Sequence, residues 1–500
     1  NNTCIGFRAL LSNTTGSDNV AVGKEALAAN TTSTNNTAVG VTCLLANTTG
    51  GNNTSVGQSS LKNNTTGSNN TALGRVALFS NTTASNNVAI GSNALLANTT
   101  GHSNVAIGAQ ALDANTTAND NTAVGQGSLG ANTTGAGNTA LGRGVLNAST
   151  TANNNTGVGY FALVSNTTGA ENVAVGTNTL DANTTGGENT AVGYAALGAN
   201  TTGSNNTAIG RVALDANQVG SFNTAVGFDA LGSSTSSENT AVGARSLKAL
   251  TSGSLNTACG MNALRETTTA SQNTAVGDEA LRENTTGADN TAVGATALDA
   301  NTTGGKNCAF GVGSLTDNTT GGGNVSMGEN SLADNTTGSN NVAMGMDSLR
   351  LNSIASHNTA VGHQTMKSNT EGSTNVALGI NALFGNTTGD SNTGVGPDAG
   401  QNVTTGGNNT FLGHDAGRHS SPSGNITTGS NNVVLGNNSI SNLFCADTSI
   451  SSSDSRDKTD VNNFTIGLAW IEALRPVTYR WDRRTWYGTD EQPYGTPDGS

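Results

Sequence analysis

The sequence predicts an all-β protein built as a parallel β-solenoid, a β-roll of 17-residue coils. The first observation is a pattern, Asn-x-(Ala)-(apolar)-Gly, that begins at Asn2 and returns every 17 residues to Asn223. It comes back after one step of 16 at Asn239, every 17 again to Asn409, and after a step of 23 at Asn432. In all 26 copies the first Asn and the fifth Gly are unchanged. The second is composition: with 4% aromatic residues, 34% hydrophobic residues and 67 glycines in 500, the chain cannot fill several thick globular cores. The third is that charged residues are only 11% and the apolar ones recur at fixed intervals, which argues against disorder. A short period kept over so many copies is the signature of coils stacked on one another.

Counting places 1 to 17 from the invariant Asn, each part of the phrase has a local reading. Places 2–4, such as Thr190-Ala191-Val192, alternate side chains between two faces and read as a short strand. Gly at place 5 permits the positive φ of a tight corner. Ala-Leu at places 8 and 9 is expected to resume a second short strand, and Asn-Thr-Thr-Gly turns the chain back. Two strands and two turns make a flattened two-sided roll, with a three-sided coil of similar length as the alternative. The invariant Gly and the turn signal leave at most about ten uninterrupted residues for a helix, which is marginal.

The fourth place is always apolar, and the ninth is Leu in 22 of the first 23 copies, with Met366 the exception. Both are expected to be buried, with ladder hydrogen bonds between coils supplying the rest of the stability. The invariant Asn predicts a stacked amide ladder, unless it serves only as a turn residue. The mostly Ala rows at places 3 and 8 are expected to face other copies of the chain. The competing reading is a coil interior with room only for Ala. Strands stacked about 4.8 Å apart would make a shaft about 120 Å long.

Several functions are excluded or disfavoured. A net charge of -13 repels phosphate backbones, so nucleic acid is not an expected partner. No run of about 18 apolar residues exists to insert into a membrane. The chain opens in mid-phrase at Asn1 without an initiator Met, so an export signal is expected to have been removed or omitted. The five cysteines lack metal-type spacing, and Cys4, Cys43, Cys259 and Cys308 replace Ala, Val or Thr, which reads as packing. His102, His357, His363, His414 and His419 occupy variable slots without a metal or catalytic pairing, so no metal or other cofactor is expected. Acidic residues are too sporadic for a calcium-binding roll, and adjacent Thr-Thr pairs beside a turn do not make the Thr-x-Thr ranks of an ice-binding face.

Asn-Thr-Thr occurs at Asn13, Asn30, Asn47, Asn64, Asn81, Asn98, Asn115, Asn132, Asn166, Asn183, Asn200, Asn284, Asn301, Asn318, Asn335 and Asn386. Each is an N-glycosylation acceptor pattern at an expected exposed turn, so a glycoprotein is one reading. Unmodified turn residues are the other.

Phrases such as Asn-Thr-Ala-Val-Gly-x-x-Ala-Leu resemble the coils of trimeric autotransporter adhesin heads, which are left-handed parallel β-rolls with shorter coils. A sharper resemblance lies at the C-terminus. "SDSRDKTDVNNFTIGLAWIEALRPVTYRWD", Ser453 to Asp482, is similar to the start of the endosialidase-type intramolecular chaperone domain found behind phage tail fibres and spikes. Composition changes there too: all three Trp and four of five Pro lie beyond residue 420. Ile466, Leu468, Ile471 and Leu474 suggest a short helix stopped by Pro476, followed by a strand at Val477-Tyr479-Trp481, a small α+β segment. The chain stops at Ser500, short of a complete domain of that kind, so the segment is read as truncated.

The resemblance implies a domain that trimerises the nascent fibre and then cuts itself off at the Ser-Asp step. Carried over by motif, Ser453 is the nucleophile or cleavage-site residue, Asp454 its neighbour across the bond and Lys458 an activating base, with Arg456 structural or orienting. The expected organisation is a repeat solenoid over 1–436, a linker over 437–452 and the start of the chaperone domain over 453–500. The expected function is a homotrimeric, extracellular fibre shaft for attachment, displayed on a virion or cell surface. Its expected partners are itself and a cell-surface carbohydrate receptor, with no enzymatic activity beyond self-cleavage. The alternatives are the stalk of an enzyme-bearing spike and a fibre with one chain per cross-section that polymerises end to end.

Overall fold

The computed structural model describes residues 1–444. The compact repeat unit runs from Asn1 to Ile440. Places 2–4 of every copy form a three-residue strand, from β1 (Thr3–Ile5) and β2 (Val20–Val22) through β12 (Thr190–Val192) and β13 (Thr207–Ile209) to β26 (Val433–Leu435). Each strand pairs in parallel with the next copy: Thr190 lies against Thr207, Ala191 against Ala208 and Val192 against Ile209. No helix occurs among the described residues. The fold is therefore an all-β parallel solenoid in which one phrase is one coil.

The irregular steps leave this register intact. Across the 16-residue coil Thr224 still pairs with Thr240, and across the 23-residue coil Thr410 still pairs with Val433. Length changes are absorbed in the turns, where pairing does not constrain them.

Gly at place 5 meets two constraints. At Gly193 φ is 137°, a conformation that L side chains rarely adopt. A Cβ there would also lie 2.4 Å from the carbonyl oxygen of Gly210 in the next coil. The corner is thus a close stack of backbones as well as a turn.

The second strand expected at Ala-Leu does not form. Ala195 (φ 51°) and Leu197 (φ 53°) are left-handed, and the same alternation runs through the other coils that carry Leu at place 9. The reason is burial: Ala196 and Leu197 are neighbours in sequence and both are fully buried, whereas successive residues of a strand point to opposite faces. The alternation also aims N–H groups along the shaft in both directions. Leu197 N donates to Ala213 O (2.9 Å) and Ala195 N to Thr177 O (3.0 Å), in the coils on either side. A left-handed L-residue costs roughly 1–2 kcal/mol, which these bonds and the buried Leu offset.

From the second coil on, the interior holds the Ala of places 3 and 8 and the Leu of place 9, all inaccessible to solvent. Two expectations are corrected here. The Ala rows face inward, not toward other chains, because the space between the strand and the Leu segment is narrow. The apolar fourth place is not core; it lies on the outer face of the strand. Where the interior departs from Ala and Leu, volumes compensate. Phe411 at place 3 fills the space left by Gly400 and Gly417, which stand at the Leu place of their coils, and a Cβ on either would lie within 2.6 Å of its ring. Of the four described cysteines only Cys43 is buried; Cys4 and Cys259 are exposed and Cys308 is intermediate, so the packing role holds for Cys43 alone.

Amide ladders join the coils. At place 1, Asn206 donates to Asn189 Oδ1 from both its backbone N (3.0 Å) and its Nδ2 (3.1 Å), and Nδ2 also donates to Gly220 O (2.9 Å). Only a side chain with a donor and an acceptor on adjacent atoms serves all three bonds, which accounts for the invariance of Asn. A second column runs through place 12, where Asn200 Nδ2 donates to Asn183 Oδ1 (2.8 Å) and Gly203 O (3.0 Å). Thr at place 13 adds a third, Thr184 Oγ1 donating to Thr201 O at 3.0 Å. The second column breaks where place 12 is Ser: Asn132 Oδ1 before Ser149 and Asn217 Oδ1 before Ser234 are buried without a partner.

Opposite substitutions should therefore have opposite effects. Asn189→Ala orphans buried groups in two coils at about 1–3 kcal/mol, and residue-resolved hydrogen exchange should speed up around residues 172–206. Ser149→Asn should slow exchange in the coils on either side. Unchanged protection in both variants would contradict the ladder.

Candidate assembly surface and C-terminal segment

The strand face is the candidate functional surface. Alternation within each strand turns place 3 inward, so places 2 and 4 turn outward. The fourth place is apolar in every coil and forms a column from Ile5 to Leu435, partly or fully exposed in the single chain, as at Leu141 (47%), Ile209 (41%) and Leu378 (49%). Beside it, place 2 is Thr or Val in every coil except at Cys308. With strands about 4.8 Å apart over some 25 steps, two columns make a face on the order of 1,200 Å². That exceeds the roughly 800 Å² per partner of a standard interface. The apolar part of that face is the unbroken place-4 column, flanked by Thr and Val, and a continuous partly exposed apolar stripe of this kind marks a candidate interaction surface.

The sequence pattern contained this column, but an apolar place in a repeat reads first as core. The signal that could have revealed its direction is its neighbour: place 3 is Ala in most coils and larger than Cys only at Phe411 and Val434, with Leu and Ala already available to fill the interior from the other side.

The acceptor asparagines are not at exposed turns. Asn30, Asn47, Asn64, Asn81, Asn98, Asn115, Asn132, Asn166, Asn183, Asn200, Asn284, Asn301, Asn318, Asn335 and Asn386 are fully buried, and Asn13 in the first coil is partly buried. Their Nδ2 atoms, the ones a glycan would modify, belong to the place-12 column, as at Asn200. The expectation of exposed acceptors is corrected: these asparagines face the coil interior because the amide bonds along the shaft are made there.

His414 is brought close to Asp398 and Asp415, with ligand-type atoms within 4.8 Å of one another, a grouping that the sequence reading missed because the residues come from two coils. Arg418 Nη1 bridges both carboxylates, at 3.2 Å from Asp398 and 2.5 Å from Asp415, so an internal cation already balances them.

Ser453, Asp454 and Lys458, together with Arg456, Cys445 and the expected α+β segment, lie outside the described residues. Residues 453–496 match the family described as Peptidase S74, chaperone of endosialidase. No curated protein matches the chain. Fold and match together define a class: a repeat-built parallel β-solenoid followed by a C-terminal segment similar to the chaperone-of-endosialidase family. No helix of the described residues is long and apolar enough to cross a membrane.

The shaft also carries a pH response. Asp299 pairs through one oxygen with Arg282 Nη2 (3.1 Å), while its other oxygen is buried without a partner. Burial, opposed by Arg282 and reinforced by Glu279, Glu283 and Asp317, pushes its carboxyl up to about 6. Burial raises Asp113, Asp181, Asp215 and Asp334 in the same direction. A carboxyl raised in the folded state binds its proton more tightly there than when unfolded. Its contribution to stability therefore grows as pH falls through about 6 toward the ordinary carboxylate value, and is lost as pH rises. The Tm of the shaft should rise between about pH 7.5 and about pH 5, and Asp299→Asn should reduce that rise. A Tm that falls over this interval in both proteins would contradict the assignment.

Proposed function

We propose that the protein is the shaft of an attachment fibre displayed on a virion or cell surface, in which three chains pack their strand faces together. The unbroken outward apolar column at place 4 carries this reading: a single chain would leave it in water along the whole shaft. The C-terminal chaperone-type segment supports it, since such domains bring three chains together before the shaft forms. Parallel coils of equal rise suit a threefold bundle, because three identical columns stay in contact along a common axis.

Light scattering should give three times the 49.7 kDa of one chain. Substituting outward positions with charge, as in Val192→Glu with Ile209→Glu, should release single chains without disturbing the coil interior, because neither side chain is buried in the single chain. A mass of one chain for the unsubstituted protein would contradict the trimer. An open series of masses would favour end-to-end polymerisation.

The C-terminal segment is proposed to assist this assembly and then release itself. Ser453 is the nucleophile or the cleavage-site residue and Lys458 the activating base: one water is consumed as the Ser453–Asp454 amide bond breaks, leaving a carboxylate on Ser453 and an amine on Asp454. Intact mass should show a shaft ending at residue 453, and Ser453→Ala should leave the chain uncut. Equal cutting of that variant would contradict the assignment.

A further inference from the structure

Place 6, the first residue beyond the Gly corner, varies freely along most of the shaft. Between Arg143 and Arg245 it acquires a pattern. Tyr160, Tyr194 and Phe228 recur at intervals of 34 residues, two coils apart, which is about 10 Å along the shaft. All three are exposed, at 43%, 51% and 39%. Arginines lie over and between their rings. The Arg143 guanidinium is 5.9 Å from the Tyr160 ring centre, Arg211 is 5.9 Å from Tyr194 and 5.7 Å from Phe228, and Arg245 is 5.7 Å from Phe228. Arg143 and Arg211 stand at place 6 themselves, and Arg245 at the neighbouring place 7.

We infer that this column binds an acidic polysaccharide lying along the shaft. Exposed aromatic faces repeated along a line offer stacking platforms to the apolar faces of successive sugar rings, and the two-coil interval is close to the length of a disaccharide unit in an extended chain. The arginines supply the matching charge. Among the described residues Arg143, Arg211 and Arg245 make no ion pair, and Asp229, the carboxylate beside Phe228, is taken by Lys248 at 2.9 Å. Their planar guanidinium groups are suited to bidentate carboxylate recognition. On a chain of net charge -13 this cationic, aromatic stripe is a local reversal, so an anionic polymer repelled elsewhere is drawn to one track. Tyr, Phe and Arg here are rigid or pre-oriented by their stacking, which lowers the ordering cost of binding.

This deepens the attachment role proposed above by naming its ligand, and rests on that reading but not on the number of chains. The test uses the full chain and a panel of uronate-containing oligosaccharides, from alginate, polygalacturonate and hyaluronan, with neutral dextran oligosaccharides of matched length. Affinity is followed by calorimetry and Tyr fluorescence. At least one acidic oligosaccharide should bind more than tenfold tighter than dextran, and less tightly as salt is raised. Arg211→Gln and Tyr194→Ala should each weaken that binding about tenfold or more, a loss of roughly 1.4 kcal/mol. Arg75→Gln, at place 6 outside the stripe, should leave it unchanged. Binding of no panel member, or binding indifferent to Arg211→Gln and Tyr194→Ala, overturns the inference. So does a drop in the light-scattering mass of those two variants, since the stripe would then be a contact between chains. Loss of the trimer after strand-face substitution, with polysaccharide binding retained, would separate failure of the assembly from failure of this site.

Discussion

The buried amides at places 1 and 12 are the constraint on which the rest depends. A coil of 17 residues with Ala, Ala and Leu inside it cannot stand alone, because its interior also contains two primary amides whose bonds must be made away from water. Each amide takes its partner from the coil before and gives one to the coil after, so burial becomes affordable only in a stack. This converts a chain poor in apolar volume into a shaft, and fixes one phrase to one rung. The same rule locates the weak points: where Ser replaces the amide, the preceding coil is left with an unmet acceptor.

Much of this architecture was legible in the sequence, and the reasons differ by position. The period of 17 needed only counting, and the invariant Gly pointed to a corner. The stacked-amide reading of Asn was correct because turns tolerate several residues, whereas a three-bond ladder tolerates one. What the sequence hid was direction. Thr-Ala-Val as a strand can put either Ala or the Thr and Val pair inside, and hydrophobicity alone favours Val. The outcome is decided by Leu197 and Ala196, which enter together from a left-handed segment and leave room only for Ala opposite. That backbone alternation has no sequence signature of its own, since Leu is among the residues least expected at positive φ. The Asn-Thr-Thr turns misled for a related reason: a motif that suits an exposed loop also suits a ladder.

Turning the larger apolar residues outward gives the shaft two candidate surfaces of different character. The strand face is uniform along all 26 coils, as a contact between identical chains requires. The corner at place 6 is free of both core and strand pairing, so it can vary coil by coil and carry local chemistry such as the arginine and aromatic stripe. On the proposed reading, assembly occupies places that repeat, and recognition those that differ.

The most direct test of the account is a cryo-EM map of the shaft at side-chain resolution. The map should show a rise of about 4.8 Å per coil, Asn189 and Asn206 directly in line inside the wall, and Val192 and Ile209 on its outer face. Asparagine side chains turned to solvent, or the fourth-place residues packed against Leu197 in the interior, would contradict it.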